Sequence, residues 1–276
     1  MLNQPEEKIQ HCLNQLAHSY ARKFDSADHH VEKIISPAAR FSLETIAKSD
    51  APYHDVDHTI FVTLAGQTIL AGLHLSESDV TPKEWGHFTI ALLFHDIGYI
   101  KGICRADHGN RVATGIGDEL IELPVNSTDA ALAWYHVDRS KRFVVERFRA
   151  EFDSQESLEA GVITGYIEMT RFPFNHDGRQ NHDRLAELVR AADLIGQLGA
   201  PDRLQKCLAL FKEFEEIGLN AKLGYRRPED LRNNNAAFYW KTVSPHIQKA
   251  LRCLELTQEG KEWIASLEAN VGERIT

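Results

Sequence analysis

The 276 residues include only four cysteines, Cys12, Cys104, Cys207 and Cys253, and no two stand close together. That spacing excludes a disulfide frame or zinc-knuckle pattern and fits reduced thiols in a cytoplasmic protein. Long apolar runs are also lacking. No stretch approaches the length of a bilayer span, so no membrane association is expected. The opening residues, Met1-Leu2-Asn3-Gln4-Pro5-Glu6-Glu7-Lys8, carry neither the basic nor the apolar region of a signal peptide. No useful length of chain alternates apolar and polar residues as a half-buried strand would. There is no repeat, low-complexity tract or Pro/Gly/Ser-rich linker. Positive charge is in deficit: 31 Lys+Arg against 40 Asp+Glu give a net charge of −9. That balance argues against duplex nucleic acid or an anionic membrane as a partner. An anionic substrate stays open, because a bound dication reverses the local field.

What remains is an ordinary globular composition, 43% hydrophobic and 26% charged, patterned mostly as helix. Ile9, Cys12, Leu13, Leu16, Ala17 and Tyr20 recur at helical spacing. A second helix starts near Asp57 and continues through Ile60, Val62, Leu64, Ile69 and Leu70. Thr81-Pro82-Lys83-Glu84 is a start signal, with Thr as cap, Pro in the first turn and Glu at the third position. That helix runs into His95-Asp96 and ends near Gly98. Further helices are expected over about 109–122, 127–137, 140–150, 155–169, 181–198 and 201–217. The tail from Val243 to Val271 reads as a helical hairpin joined at Thr257-Gln258-Glu259-Gly260.

Fourteen histidines is a high count, although His11, His18, His29 and His30 merely sit in a polar amino-terminal region. Two segments concentrate the chemistry. Pro52-Tyr53-His54-Asp55-Val56-Asp57-His58 places two histidines four apart. Phe94-His95-Asp96-Ile97-Gly98-Tyr99 places His beside Asp at the end of the apolar run Ile90-Ala91-Leu92-Leu93. Imidazole and carboxylate are the usual ligands of a divalent cation. A buried carboxylate needs a charge partner, and a metal ion supplies one.

These residues resemble the HD superfamily of metal-dependent phosphohydrolases, whose pattern is His, then His-Asp, then a distant Asp on helices. His58, His95, Asp96 and Asp193 fit it, the last within Arg190-Ala191-Ala192-Asp193-Leu194-Ile195-Gly196. Tyr53-His54-Asp55-Val56-Asp57-His58 is also similar to the Tyr-His-Asn-x-x-His signature of cyclic-nucleotide phosphodiesterases, with Asp55 in place of Asn. The resemblance covers roughly residues 50 to 200. It implies an all-α HD-type helical bundle, a single domain over 1–276, with flanking helices in 1–49 and 201–276.

The resemblance further implies one or two divalent ions, Mn, Mg, Fe, Ni or Zn. Members with two metals add two histidines, here His108 and His136, with Asp96 bridging the ions. Each has a plain structural alternative: His108 as a helix-start residue, His136 as a helix-end residue favoured by the dipole. His54 would protonate the leaving oxygen, with Asp55 or Asp57 orienting it or His58. His54 and Asp96 are thus the catalytic candidates. The implied activity is hydrolysis of a small phosphomonoester or phosphodiester, including nucleotides, by metal-bound hydroxide. Lys101 and Arg171 are the candidate phosphate contacts. Arg139, Lys141, Arg142, Arg147 and Arg149 read as a solvated helix face. Gln197 with Phe172 or Phe174 is available for a base clamp, and the loop holding His176, with His182 beyond it, for a pocket cover. Two alternatives use the same ligands: a mixed-valent di-iron oxygenase, and a non-catalytic metal- or nucleotide-binding module. Amphipathic outer helices allow a homodimer without demanding one.

Overall fold

A computed structural model describes residues 4–24, 30–76, 80–153, 157–174 and 183–272. Helices α1 (Gln4–Ala21) and α2 (His30–Ile46) each bury one stripe; in α1 it is Ile9, Cys12, Leu13, Leu16 and Tyr20. Helices α3 (Val56–Ser76) and α4 (Pro82–Phe94) are buried on most sides. They are apolar nearly all round, and a helix without a polar face belongs inside. Helix α4 starts as its sequence predicts. Thr81 Oγ1 accepts from the Glu84 N–H at 3.2 Å, and Glu84 Oε2 accepts from the Thr81 N–H at 2.9 Å. The helix closes at His95 and tightens into a 3-10 turn at Ile97–Tyr99.

The chain then makes a small hairpin, β1 (Arg111–Ala113) and β2 (Leu120–Glu122), antiparallel with Val112 opposite Ile121. After it come α5 (His136–Phe143), α6 (Arg149–Phe152), α7 (Ala160–Glu168) and α8 (Arg184–Leu198). The remainder holds α9 (Cys207–Glu216), α10 (Leu219–Leu223), α11 (Pro228–Asn233), α12 (Asn235–Phe238), α13 (Ser244–Leu254) and α14 (Gln258–Val271). The fold is all-α apart from the hairpin. The main core draws side chains from α1 to α8 and from α13 and α14, while Tyr53, Cys207, Leu210 and Leu231 form a separate cluster under α9 and α11. The expected tail hairpin forms, with Thr257 Oγ1 accepting from the Gly260 N–H at 3.0 Å.

The centre is the pairing of α3 with α8, flanked by α4 and covered by α13 and α14. Gly196 makes the close approach possible. A Cβ at that position would lie 2.5 Å from Val62 Cα and 2.7 Å from Val62 N on α3. This contact brings one turn of α8, and with it Asp193, against the start of α3.

Four expectations need correction. Residues 109–122 form the hairpin and not a helix. Gly115, at φ +86, turns the chain where a side chain would collide with the backbone of Asp138 and Arg139. A 3-10 turn at Asp129–Leu132 replaces most of the helix expected over 127–137, so His136 opens α5 and does not end a helix. Residues 201–206 are turns, and α9 starts only at Cys207. Finally, α3 is long and apolar enough to cross a membrane by length and composition, although 61% of its most apolar window is buried inside the protein.

Candidate metal centre

Four elements aim side chains at one point. Helix α3 supplies His58 from its first turn. Asp55, just before the helix, accepts from the His58 N–H at 3.0 Å, satisfying a donor that has no partner within the helix. Helix α4 ends in His95, and Asp96 follows as the chain tightens. Helix α8 supplies Asp193, and α5 opens with His136.

His58 Nε2 and His95 Nε2 are 3.4 Å apart. Asp96 Oδ2 lies 3.1 Å from the first and 3.0 Å from the second. Asp193 Oδ1 lies 3.8 and 3.7 Å from the same two nitrogens. Donors held about 2.1 Å from one ion are separated by about 3.0 Å at right angles and about 3.4 Å in a tetrahedron. The four atoms therefore have the spacing of ligands around a common centre. A second observation agrees. Asp96 Oδ2 is buried and makes no hydrogen bond, although two ring nitrogens stand within reach. The imidazoles point past it, toward a shared site. A buried carboxylate oxygen in that state needs a positive charge beside it, which a protonated His95 supplies and which a bound cation would supply in its place. The residues fit a divalent ion, on both donor chemistry and geometry.

The ring orientations are fixed from behind. His95 Nδ1 donates to the Leu92 carbonyl at 2.7 Å, and His136 Nδ1 to the Ala133 carbonyl at 2.6 Å. Each bond leaves Nε2 facing the centre, as a ligating histidine requires. Asp96 divides its oxygens, with Oδ1 lying 3.7 Å from His136 Nε2 on the other side. Asp96 thus presents one oxygen to His58 and His95 and the other toward His136. His108 does not complete a second position. It is exposed in the turn before β1 and belongs to no metal-ligand cluster among the described residues. It stays out because its segment folds as a hairpin. His54 takes up a place beside the centre instead, in a group with His58 and Asp96.

Protons compete with a cation here. Burial opposes ionisation of Asp96, but His95 and His58 overcome it and hold the carboxyl well below its usual range. Burial raises Asp193. Burial pushes His95 down, yet the Asp96 charge brings it up to about 9. Burial lowers His136 to about 4. Metal uptake by such a set releases protons.

His54 lies before α3, not within it, yet its ring is 5.3 Å from that of His58. Its Nδ1 bonds Glu213 Oε2 on α9 at 2.6 Å. Glu213 Oε1 also accepts from the Tyr53 N–H at 2.7 Å and the His54 N–H at 3.1 Å. Burial disfavours the imidazolium, but Glu213 outweighs it and raises His54 to about 9. The Tyr99 ring stacks on His54 at 4.4 Å and on His136 at 4.5 Å.

A model of the Npun_R2479-like family matches residues 2–274. The chain belongs to that family. No curated protein and no solved structure matches it. In this Npun_R2479-like chain the expected phosphate contacts are engaged elsewhere. Lys101 Nζ donates to the Ser127 carbonyl and lies 3.9 Å from Asp129. Arg171 pairs with Asp138 at 2.8 Å and with Glu168. Arg139 is not on a solvated face; it is fully buried on Asp107. Asp57 pairs with Lys8, and Asp55 pairs with Lys206 besides capping α3, so neither orients an imidazole. Phe172 and Phe174 pack on each other, and Gln197 lines a cleft with Tyr53. His176 and His182, expected near a pocket cover, lie outside the described residues.

Sequence reasoning missed Glu213, Arg203 and Lys206. Glu213 left a trace: Cys207, Leu210 and Glu213 recur every third residue on the buried face of α9. An acid in an apolar stripe calls for a partner. Arg203 and Lys206 lie in or beside irregular turns, where periodicity carries no signal.

Proposed function

We propose that this protein is a metal-dependent phosphohydrolase of the HD type, acting on a small phosphomonoester or phosphodiester. The observation that carries the reading is the convergence of His58, His95, Asp96 and Asp193, with Asp96 Oδ2 left unbonded. Those four side chains would hold one divalent ion. Asp96 Oδ1 and His136 face a second position. When bound, the metal acidifies a water and neutralises charge on a phosphoryl group.

The protein's own groups do the rest. His54 would hold the proton given to the leaving oxygen, because Glu213 keeps its ring charged at neutral pH and fixes it through Nδ1. Tyr99 stays protonated, since burial raises its hydroxyl well above the usual value. Its ring supports the His54 ring, and the buried walls limit water.

The test is elemental analysis beside a panel of aryl phosphomonoesters and phosphodiesters, with Asp96→Ala as the comparison. Wild type is expected to hold one or two equivalents of metal. The variant should fold, lose the ion at His58 and His95, and turn over at least about 100-fold more slowly. Undiminished turnover in the variant would overturn the reading. Iron with oxygen uptake in place of hydrolysis would move the same cluster to oxygenase chemistry.

A further inference from the structure

Beside the metal centre a narrow cleft with room for about one water lies between the first turn of α3, the end of α8 and the turns at 201–206. His58 forms one wall, Arg203 another, with Tyr53, Gly196, Gln197 and Lys206 between them. The Tyr53 ring joins the two, lying 5.6 Å from the His58 ring and 5.9 Å from the Arg203 guanidinium.

Arg203 is 4% exposed. Its Nε and one terminal nitrogen are buried and have no hydrogen-bond partner. No carboxylate among the described residues pairs with it. Lys206 cannot share an acid with it, since both Asp55 oxygens lie 2.8 Å from Lys206 Nζ. Asp202 lines the same cleft, but its Oδ2 is 3.9 Å from Lys206 and its buried Oδ1 has no partner. A guanidinium has a planar fork of donors and does not give up its proton. Buried without an acceptor, it destabilises the fold. Its placement makes sense when a ligand supplies the acceptor.

We propose that Arg203 receives a phosphoryl oxyanion of the substrate, in a subsite next to the metal centre. The two open donors, Nε and Nη1, lie on opposite edges of the guanidinium, and either edge together with Nη2 can match two oxygens of a phosphate. Asp202 Oδ1 is an acceptor in need of a donor. A ligand that satisfies both walls therefore carries a hydroxyl as well, as a singly protonated phosphate or a hydroxylated phosphate ester does. The inference rests on the phosphohydrolase reading for the word substrate, but the anion site itself stands on Arg203.

The experiment is a titration with inorganic phosphate, followed by calorimetry and thermal melting, on full-length wild type, Arg203→Met and Arg203→Lys. Each protein is measured with and without Mn2+, and its metal content is determined. Phosphate should raise the wild-type melting temperature. Arg203→Lys should bind it at least about tenfold more weakly, since a point charge replaces the fork. Arg203→Met should show no phosphate response but melt about 2–4 °C higher than wild type in phosphate-free buffer. Metal content should be the same in all three. Equal phosphate binding in wild type and Arg203→Met would overturn the proposal. So would no binding to wild type, equal affinity for succinate, or a lower melting temperature of Arg203→Met. If no protein takes up Mn2+ while phosphate binding still depends on Arg203, the metal reading fails and the anion site stands.

Discussion

Two arginines are buried among the described residues, and their surroundings are opposite. Arg139 is 0% exposed and Arg203 is 4% exposed. Arg139 has every direction filled. Its Nε donates to the Gly98 carbonyl at 2.6 Å, one terminal nitrogen to the Ile100 carbonyl at 2.8 Å and to Asp107 at 2.9 Å, and the other to Asp107 and the Ala113 carbonyl. Asp107 is filled in turn by the N–H groups of Gly102, Cys104 and Ala113. That hub ties the loop after the His-Asp pair to the hairpin and to α5. Ser140, one residue on, donates to the His95 carbonyl at 2.7 Å and accepts from the Gly98 N–H. Arg203 has the Tyr53 ring beside its guanidinium but no hydrogen-bond partner for Nε or one terminal nitrogen. A buried charge that is fully bonded defines a structure, whereas one left open defines a place for a ligand.

The strongest way to break this comparison is Arg139→Met. It strands the Asp107 carboxylate and several carbonyls, and should cost about 3–5 kcal/mol in urea unfolding. A loss below about 1 kcal/mol would mean that the hub is dispensable and that the two arginines differ less than their contacts imply.

The His54–Glu213 pair is the intermediate case, a buried charge with one partner. His54 is raised, so its contribution is full below 6.5 and lost as pH climbs through about 9. Glu213 is lowered, so its contribution is full above 4.5 and lost as pH falls through its depressed value. His95 is raised to about 9 as well, so in chelator-treated protein both histidines titrate over the same range and stability should drop by at least about 3 kcal/mol between about pH 6.5 and 9.5. Glu213→Gln should remove the His54 share of that alkaline slope and leave the share that His95 owes to Asp96. An unchanged slope in the variant would remove the pair from the account.

Gly196→Ala sharpens the contrast at the cleft itself. The added methyl would press on the Val62 backbone and force α8 away from α3. Stability should fall by about 1–3 kcal/mol, and metal affinity should weaken as Asp193 recedes from His58. Unaltered metal binding would show that the helix contact does not set the ligand distance. The smallest expected change is the gain of about 1 kcal/mol in Arg203→Met without phosphate, opposite in sign to Arg139→Met.

The helical class was legible because apolar residues recur with helical period in α1, and because α3 and α4 are apolar throughout. The Thr81 cap was legible because its chemistry is local. The pattern His58, His95-Asp96, Asp193 pointed to a single site, and the fold brings those residues together. His108 failed for a definite reason. Its role needed a helix over 109–122, and the turn glycines with the buried Arg139 hub produce a hairpin there. Arg139 itself looked like a surface residue, since its neighbours Lys141 and Arg142 are only partly buried, and nothing local tells a buried arginine from a solvated one.

By itself, then, the sequence determined the helices, their start signals and the types of ligand, because periodicity, capping and donor chemistry act within a few residues. The tertiary structure alone decided which of the candidate histidines converge, that Glu213 from α9 holds His54, and that one arginine is bonded on all sides while the other is left open. Those outcomes depend on contacts between residues 30 to 160 positions apart in the chain. Such contacts are set by the packing of whole helices, as at Gly196 against Val62, and no local pattern encodes them.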